Sequence, residues 1–157
     1  MQIRLALGGL GGVILGWCLH SWCWQASLVQ AANDRWQDYA IATGAIQAGA
    51  VGHDQDGVWI LDGKSGKLYA SSVSRLTGKI LACAELNLLA EFAVRSAGDA
   101  RFLITTGQVG RGASVLYVAE MTSGRLAAYS MSLAEGYNPG VIIRRHDIIQ
   151  FATPGRQ

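Results

Sequence analysis

Apolar and polar positions along residues 39–153 fall into short runs broken by glycine-rich turns, the pattern of an all-β chain. Val58 to Leu61 is a β-branched and aromatic run that reaches Asp62. The tip Gly63-Lys64-Ser65-Gly66 supplies turn chemistry, and Lys67 to Ala70 leads back, so this stretch predicts a β-hairpin. A second hairpin is predicted over Val115–Glu120, the turn Met121-Thr122-Ser123-Gly124 and Arg125–Met131. Ala40–Ile46 predicts a strand ahead of the first hairpin. Gly44 inside it marks a bulge or a close backbone approach. Gln47–Gly57 predicts a loop. Asn33–Tyr39 reads as a polar connector, with Trp36 and Tyr39 at the domain edge. Past the hairpin, Arg75–Gly78 predicts a turn and Lys79–Leu86 a fourth strand. Asn87–Val94 fits one or two helical turns or the end of that strand, and Arg95–Asp99 is a polar break.

The pattern then restarts. Arg101–Val109 predicts a strand, Gly110–Ser114 a short loop, Ala134–Gly140 a turn and Val141–Phe151 the last strand. Thr43-Gly44 recurs 63 residues later as Thr106-Gly107, Ser65-Gly66 recurs 58 later as Ser123-Gly124, and Gly78 recurs 62 later as Gly140. The drop of five lies in the loop that is shorter in the second half. Residues 33–157 are therefore expected to be a duplicated β domain, with copies over about 39–94 and 101–153.

The N-terminal 32 residues differ in kind. Leu5 to Trp24 runs twenty residues without a formal charge behind Arg4; as a helix it would span about 30 Å, a bilayer's hydrocarbon thickness. Two readings fit. Val29-Gln30-Ala31 resembles a signal-peptide cleavage site. The length, the tryptophans Trp17, Trp22 and Trp24, and the Gly8/Gly12/Gly16 stripe suit a retained membrane anchor. Both readings place residues 33–157 outside the cytoplasm, membrane-anchored through residues 5–24 or secreted.

Composition narrows the function classes. Charged residues are 15% of the chain, against roughly 25% in ordinary soluble domains. The net charge is +2 and no basic block exceeds Arg144-Arg145, so no nucleic-acid partner is expected. Cys18, Cys23 and Cys83 have no metal-ligand or disulfide-framework spacing, and Cys83 reads as a buried small hydrophobe. Continuous apolar runs such as Val115–Ala119 and Ile142-Ile143 suit strands covered on both faces by a sheet, a neighbouring chain or a partner.

With Val58–Asp62, Ser65-Gly66-Lys67-Leu68-Tyr69 and the second Ser123-Gly124-Arg125-Leu126 in view, each copy resembles a repeat of the quinoprotein-type (PQQ-like) β-propellers. There an apolar strand ends at Asp, followed by Thr/Ser-Gly, a basic residue and Leu; the second copy has Glu120 in place of the Asp. The resemblance covers residues 58–72 and 115–131 and implies four-stranded blades. Some propellers of this kind act as assembly scaffolds. Closed propellers hold four to eight blades. Two blade-like copies therefore imply either a ring of several chains, six blades in a trimer and eight in a tetramer, or one compact barrel or sandwich that closes its own edges. The second is preferred here. The quinoprotein cofactor site belongs to a full ring, and nothing here carries it over.

The remaining candidate chemistry is thin. His53-Asp54-Gln55-Asp56-Gly57 can present carboxylates to Ca²⁺, but it lacks the third acidic position and the distal Glu of a calcium loop. His146-Asp147 is placed in a strand, where adjacent side chains diverge. Ser71, Ser72, Ser74, Ser130 and Ser132 have no nucleophile elbow and no positioned His. Arg144-Arg145 with Arg111 suggests an anion site that alternating faces would split. No catalytic, cofactor or metal residue is assigned. The expected function is a non-enzymatic structural or protein-binding component of a membrane or envelope assembly, with protein partners or self-association. The alternative is a small exported hydrolase or metal- or cofactor-binding protein using the 53–57 loop.

Overall fold

The structure is a computed structural model, described over residues 33–46, 55–110, 113–134 and 140–153. Nine strands form two antiparallel sheets among these residues. The first sheet is an uninterrupted meander: β1 (Asn33–Trp36), β2 (Tyr39–Ile46), β3 (Gln55–Asp62), β4 (Lys67–Ser72) and β5 (Ala84–Asn87). A helix, α1 (Leu88–Phe92), follows. The second sheet is β6 (Phe102–Gln108), β7 (Ser114–Glu120), β8 (Arg125–Leu133) and β9 (Val141–Gln150). The all-β expectation holds. A barrel or other structure that closes its own edges does not form: the two sheets pack face to face and stay separate.

Pairing registers recur between the sheets. Tyr39 opposite Asp62 becomes Phe102 opposite Glu120, and Asp62 opposite Lys67 becomes Glu120 opposite Arg125. Lys67 opposite Asn87 becomes Arg125 opposite Gln150. The first and last strands are displaced by 63 residues and the hairpin by 58, so Gly78 and Gly140 are not strict counterparts. Bonds outside the ladders follow the same rule. Gly63 N donates to Asp38 O as Met121 N donates to Arg101 O, and Leu88 N donates to Gly66 O as Phe151 N donates to Gly124 O.

Four local expectations are corrected. Asn33–Trp36 is strand β1, paired with β2 through a two-residue turn in which Gln37 is left-handed (φ 53°). Asp34, Arg35 and Trp36 are exposed, so this edge strand shows no apolar alternation to read. The fourth strand lies at Ala84–Asn87 rather than Lys79–Leu86. The turn at Gly78 (φ 68°) is followed by a Val73–Ile80 bridge, flanked by Ser74 N donating to Lys79 O and Leu81 N donating to Ser72 O, and the chain then leaves the ladder until Ala84. That excursion leaves Cys83 exposed, against its expected burial. Gln55, Asp56 and Gly57 belong to β3, since they pair with Ile46, Ala45 and Gly44. Asn87 settles the helical alternative: its side chain accepts from Leu89 N and Ala90 N and caps α1.

The core lies between the sheets. Alternation puts Trp59, Leu61 and Leu68 of the first sheet against Leu116, Val118 and Met131 of the second. Leu88 and Phe92 of α1 join them, with the Phe92 and Phe102 rings edge to face at 5.7 Å. Gly44 is the point of close approach: a Cβ there would sit 3.1 Å from Ser114 Cβ. Beside it the Thr106 hydroxyl donates to Thr43 O at 2.7 Å, and Ala45 N donates to the Ser114 hydroxyl at 3.2 Å. The expected N-terminal helix and the 1–32 boundary lie outside the described residues. Among the described residues no helix is long and apolar enough to cross a membrane.

Candidate functional site

Each hairpin turn is organised by the carboxylate that ends its first strand. Asp62 Oδ1 accepts from Lys64 N and Ser65 N, and Oδ2 accepts from the Ser65 hydroxyl at 2.8 Å. The Ser65 hydroxyl is the main cause holding the Asp62 carboxyl below its ordinary pKa. Glu120 takes the same place but is fully buried. Its Oε1 accepts from Arg101 N and Thr122 N, both at 3.0 Å, and its Oε2 from Ser123 N at 2.6 Å. Burial pushes the Glu120 carboxyl up, but the donors around it outweigh that and hold it low. The Ser123 hydroxyl, unlike that of Ser65, is buried without a hydrogen bond of standard geometry, so the three backbone amides are the secure part of that cradle. These acids are spent on backbone donors and are not poised for proton transfer.

A cleft of about 320 Å³ opens between the sheets beside these turns, lined by Arg35, Asp38, Lys64, Arg101 and Phe102 among others. Arg101 Nη1 already donates to Gly98 O and Ala100 O at 2.8 Å. A second small group joins α1 to the other sheet: Glu91 Oε2 accepts from Arg145 Nη1 at 2.6 Å and from the Tyr129 hydroxyl at 3.4 Å. Burial, then the Glu91 charge, pushes the Tyr129 phenol up, so it stays protonated and serves as a donor.

The broadest candidate surface is the pair of sheet faces turned away from the core. On the second sheet, Leu103, Ala119, Leu126 and Ile149 form one cross-strand row. Leu103 and Ile149 are each 51% exposed, and Ala119 and Leu126 are half-buried. On the first sheet Ile41, Ile60 and Tyr69 form a comparable row, with Ile41 42% exposed and Tyr39 and Trp36 beyond it. A contiguous apolar row on an open sheet face is a candidate interaction surface. The sequence placed Trp36 and Tyr39 at the domain edge but did not assemble these rows, although the unbroken Val115–Ala119 run was their signal: both faces of β7 are apolar.

The residues weighed from the sequence do not converge. His53, Asp54 and Arg111 lie outside the described residues, and Asp56 is in the β3 ladder opposite Ala45. Ser71 donates to Leu81 O, Ser72 donates to Asp56 O, and Ser74 accepts from Thr77 N. Ser130 and Ser132 lie in β8 opposite Arg144 and Ile142. Asp147 pairs with Ala128 and Arg145 with Tyr129, so His146 is the extra residue of a bulge on exposed strand β9. Arg145 is engaged by Glu91, while Arg144 lies opposite Ser130 on the other face. Among the described residues no group of three or more His, Cys, Asp or Glu side chains could hold a metal. Comparison with family models, with curated proteins and with solved structures yields no match.

Proposed function

We propose that residues 33–157 form a non-enzymatic protein-binding component of a membrane or envelope assembly, held outside the cytoplasm, whose two sheets are blade-like repeats of the quinoprotein-propeller kind. The observation that carries the binding role is the cross-strand row Leu103–Ala119–Leu126–Ile149, apolar and open to solvent on the face away from the core. Burying such a row against a partner recovers roughly 25 cal/mol for each Å² of apolar surface removed from water. The twenty uncharged residues from Leu5 to Trp24 support the extracytoplasmic address. The recurring registers support the blade reading, since each sheet contains a four-strand meander, β2–β5 and β6–β9, with the same turn chemistry.

Exposed Cys83 is a natural reporter of that address. In the full chain carrying Cys18→Ser and Cys23→Ser, a membrane-impermeant maleimide should label Cys83 in intact cells. Labelling only after lysis would overturn the location. A photo-crosslinking residue at position 126 should join the chain to protein in its own membranes, whereas one at the exposed Leu76 should not. Equal or absent adducts at the two positions would overturn the binding role.

A further inference from the structure

We infer that the chain assembles head to tail with copies of itself, the open face of the second sheet stacking on the open face of the first sheet of the next chain, in a closed ring of two to four chains. This rests on the blade-like reading above and names the partner. The recurring registers pair the residues of β2–β5 with counterparts in β6–β9, β1 having none, which allows the faces to be compared. The buried face of the first sheet presents Trp59, Leu61, Leu68 and Ala70, none more than 2% exposed. Their counterparts Tyr117, Ala119, Leu126 and Ala128 keep the apolar character but lie on the open face of the second sheet, each half-buried. The converse holds as well. Leu116 and Val118, on the buried face of the second sheet, are fully buried, while their counterparts Val58 and Ile60 lie on the open face of the first and are partly exposed.

The two sheets thus bury unlike faces on each other, and each leaves open the face that the other has covered. A contact of this kind is heterologous, and a heterologous contact repeats until it closes a ring or grows into a filament. The contact around Gly44 has its counterpart ready on the open faces. Gly107 takes the place of Gly44 in register, with the Tyr117 ring of its own sheet lying over it. Thr43 takes the place of Thr106, so its hydroxyl is placed to donate to Thr106 O of the next chain, as Thr106 donates to Thr43 O within the chain. Asp56 takes the place of Ser114, the acceptor for Ala45 N, and offers a carboxylate to Gln108 N of the neighbour. Closure at four to eight sheets, the range of known propellers, corresponds to two, three or four chains of two sheets each.

The test uses the full chain purified in detergent, with Leu126→Glu blocking one face and Ile60→Glu the other, each checked for an unchanged circular dichroism spectrum and melting profile. Native mass spectrometry of the wild type should give one discrete oligomer of two to four chains. Each variant alone should be monomeric, because a ring needs both faces. Mixed in equal amounts, the variants should form a 1:1 dimer, since each retains the face the other lacks. Should either variant misfold, single cysteines in a background free of Cys18, Cys23 and Cys83 answer instead: Leu126→Cys should crosslink to Ile60→Cys on a second chain at least tenfold more than either does to itself. A wild-type monomer, a filament, or like-with-like crosslinks would overturn the inference. A position-126 adduct to a different protein would overturn it too, while leaving the binding role standing.

Discussion

The two hairpin turns occupy equivalent places in their sheets but do different work. Asp62 binds two amides and a hydroxyl of its own turn and reaches no further. Glu120, one methylene longer and fully buried, holds Thr122 N and Ser123 N and also captures Arg101 N at the entry to β6. One CH₂ turns a local turn-former into a clamp between a hairpin and the strand beside it. Both turns already share a backbone tie to that strand, from Gly63 N to Asp38 O and from Met121 N to Arg101 O. The extra bond therefore adds to an existing junction rather than creating one.

Removing the clamp should separate the two turns most. Glu120→Ala leaves three amides without their acceptor and is expected to cost about 3 kcal/mol by denaturant titration, against about 1 kcal/mol for Asp62→Ala. Equal losses would show that the longer acid adds nothing. The C-terminal glycines of the turns sharpen the comparison. Gly66 and Gly124 are both left-handed, at φ 65° and 67°. A Cβ at Gly124 would run into the backbone carbonyl of Ala152, whereas one at Gly66 meets only the Leu89 side chain. Gly66→Ala should cost about 1 kcal/mol from backbone conformation, and Gly124→Ala about 1 kcal/mol more, read as a lower melting temperature.

Acid supplies the smallest of these effects. Both carboxyls titrate below their ordinary values when folded, so their stabilisation is complete above the ordinary carboxylate range of about pH 4–5. It is lost as pH falls through the lowered folded values. The wild type should therefore melt progressively lower below about pH 4, and Glu120→Gln should show a shallower slope. An identical slope in that variant would exclude Glu120 as a source of the acid sensitivity.

The hairpins were legible because their strands alternate and their turns carry Ser-Gly at fixed spacing. The Gly44 contact was legible because a glycine inside a strand has few other uses. Strand β1 was hidden because an edge strand exposed on both faces obeys no apolar pattern, and the bounds of β5 because Lys79–Leu86 carries strand-like residues of which only Ala84–Leu86 join the ladder. Cys83 was misplaced because its burial was read from its residue type, while the segment that carries it lies outside the ladder. The Glu120 clamp could not be read at all, since its partner Arg101 is 19 residues away and meets it only through a backbone amide. The open faces were half-legible: apolar runs such as Val115–Ala119 announce two buried sides without saying which one the chain itself covers.

The bulge at His146 bears on how copies of this chain can meet. An unpaired strand is a template on which another chain can add itself, and such growth has no natural stop. Strands β1 and β5, at the margins of the first sheet, have only four residues each. Strand β9 is longer, but it is kinked at the bulge and carries Arg144, Arg145, His146 and Asp147 in succession. Short length, charge and a kink all discourage a foreign strand from docking in register. The molecule thereby leaves its broad surfaces open while three of its four sheet margins, β6 excepted, resist the runaway lateral addition that leads to amyloid-like aggregates.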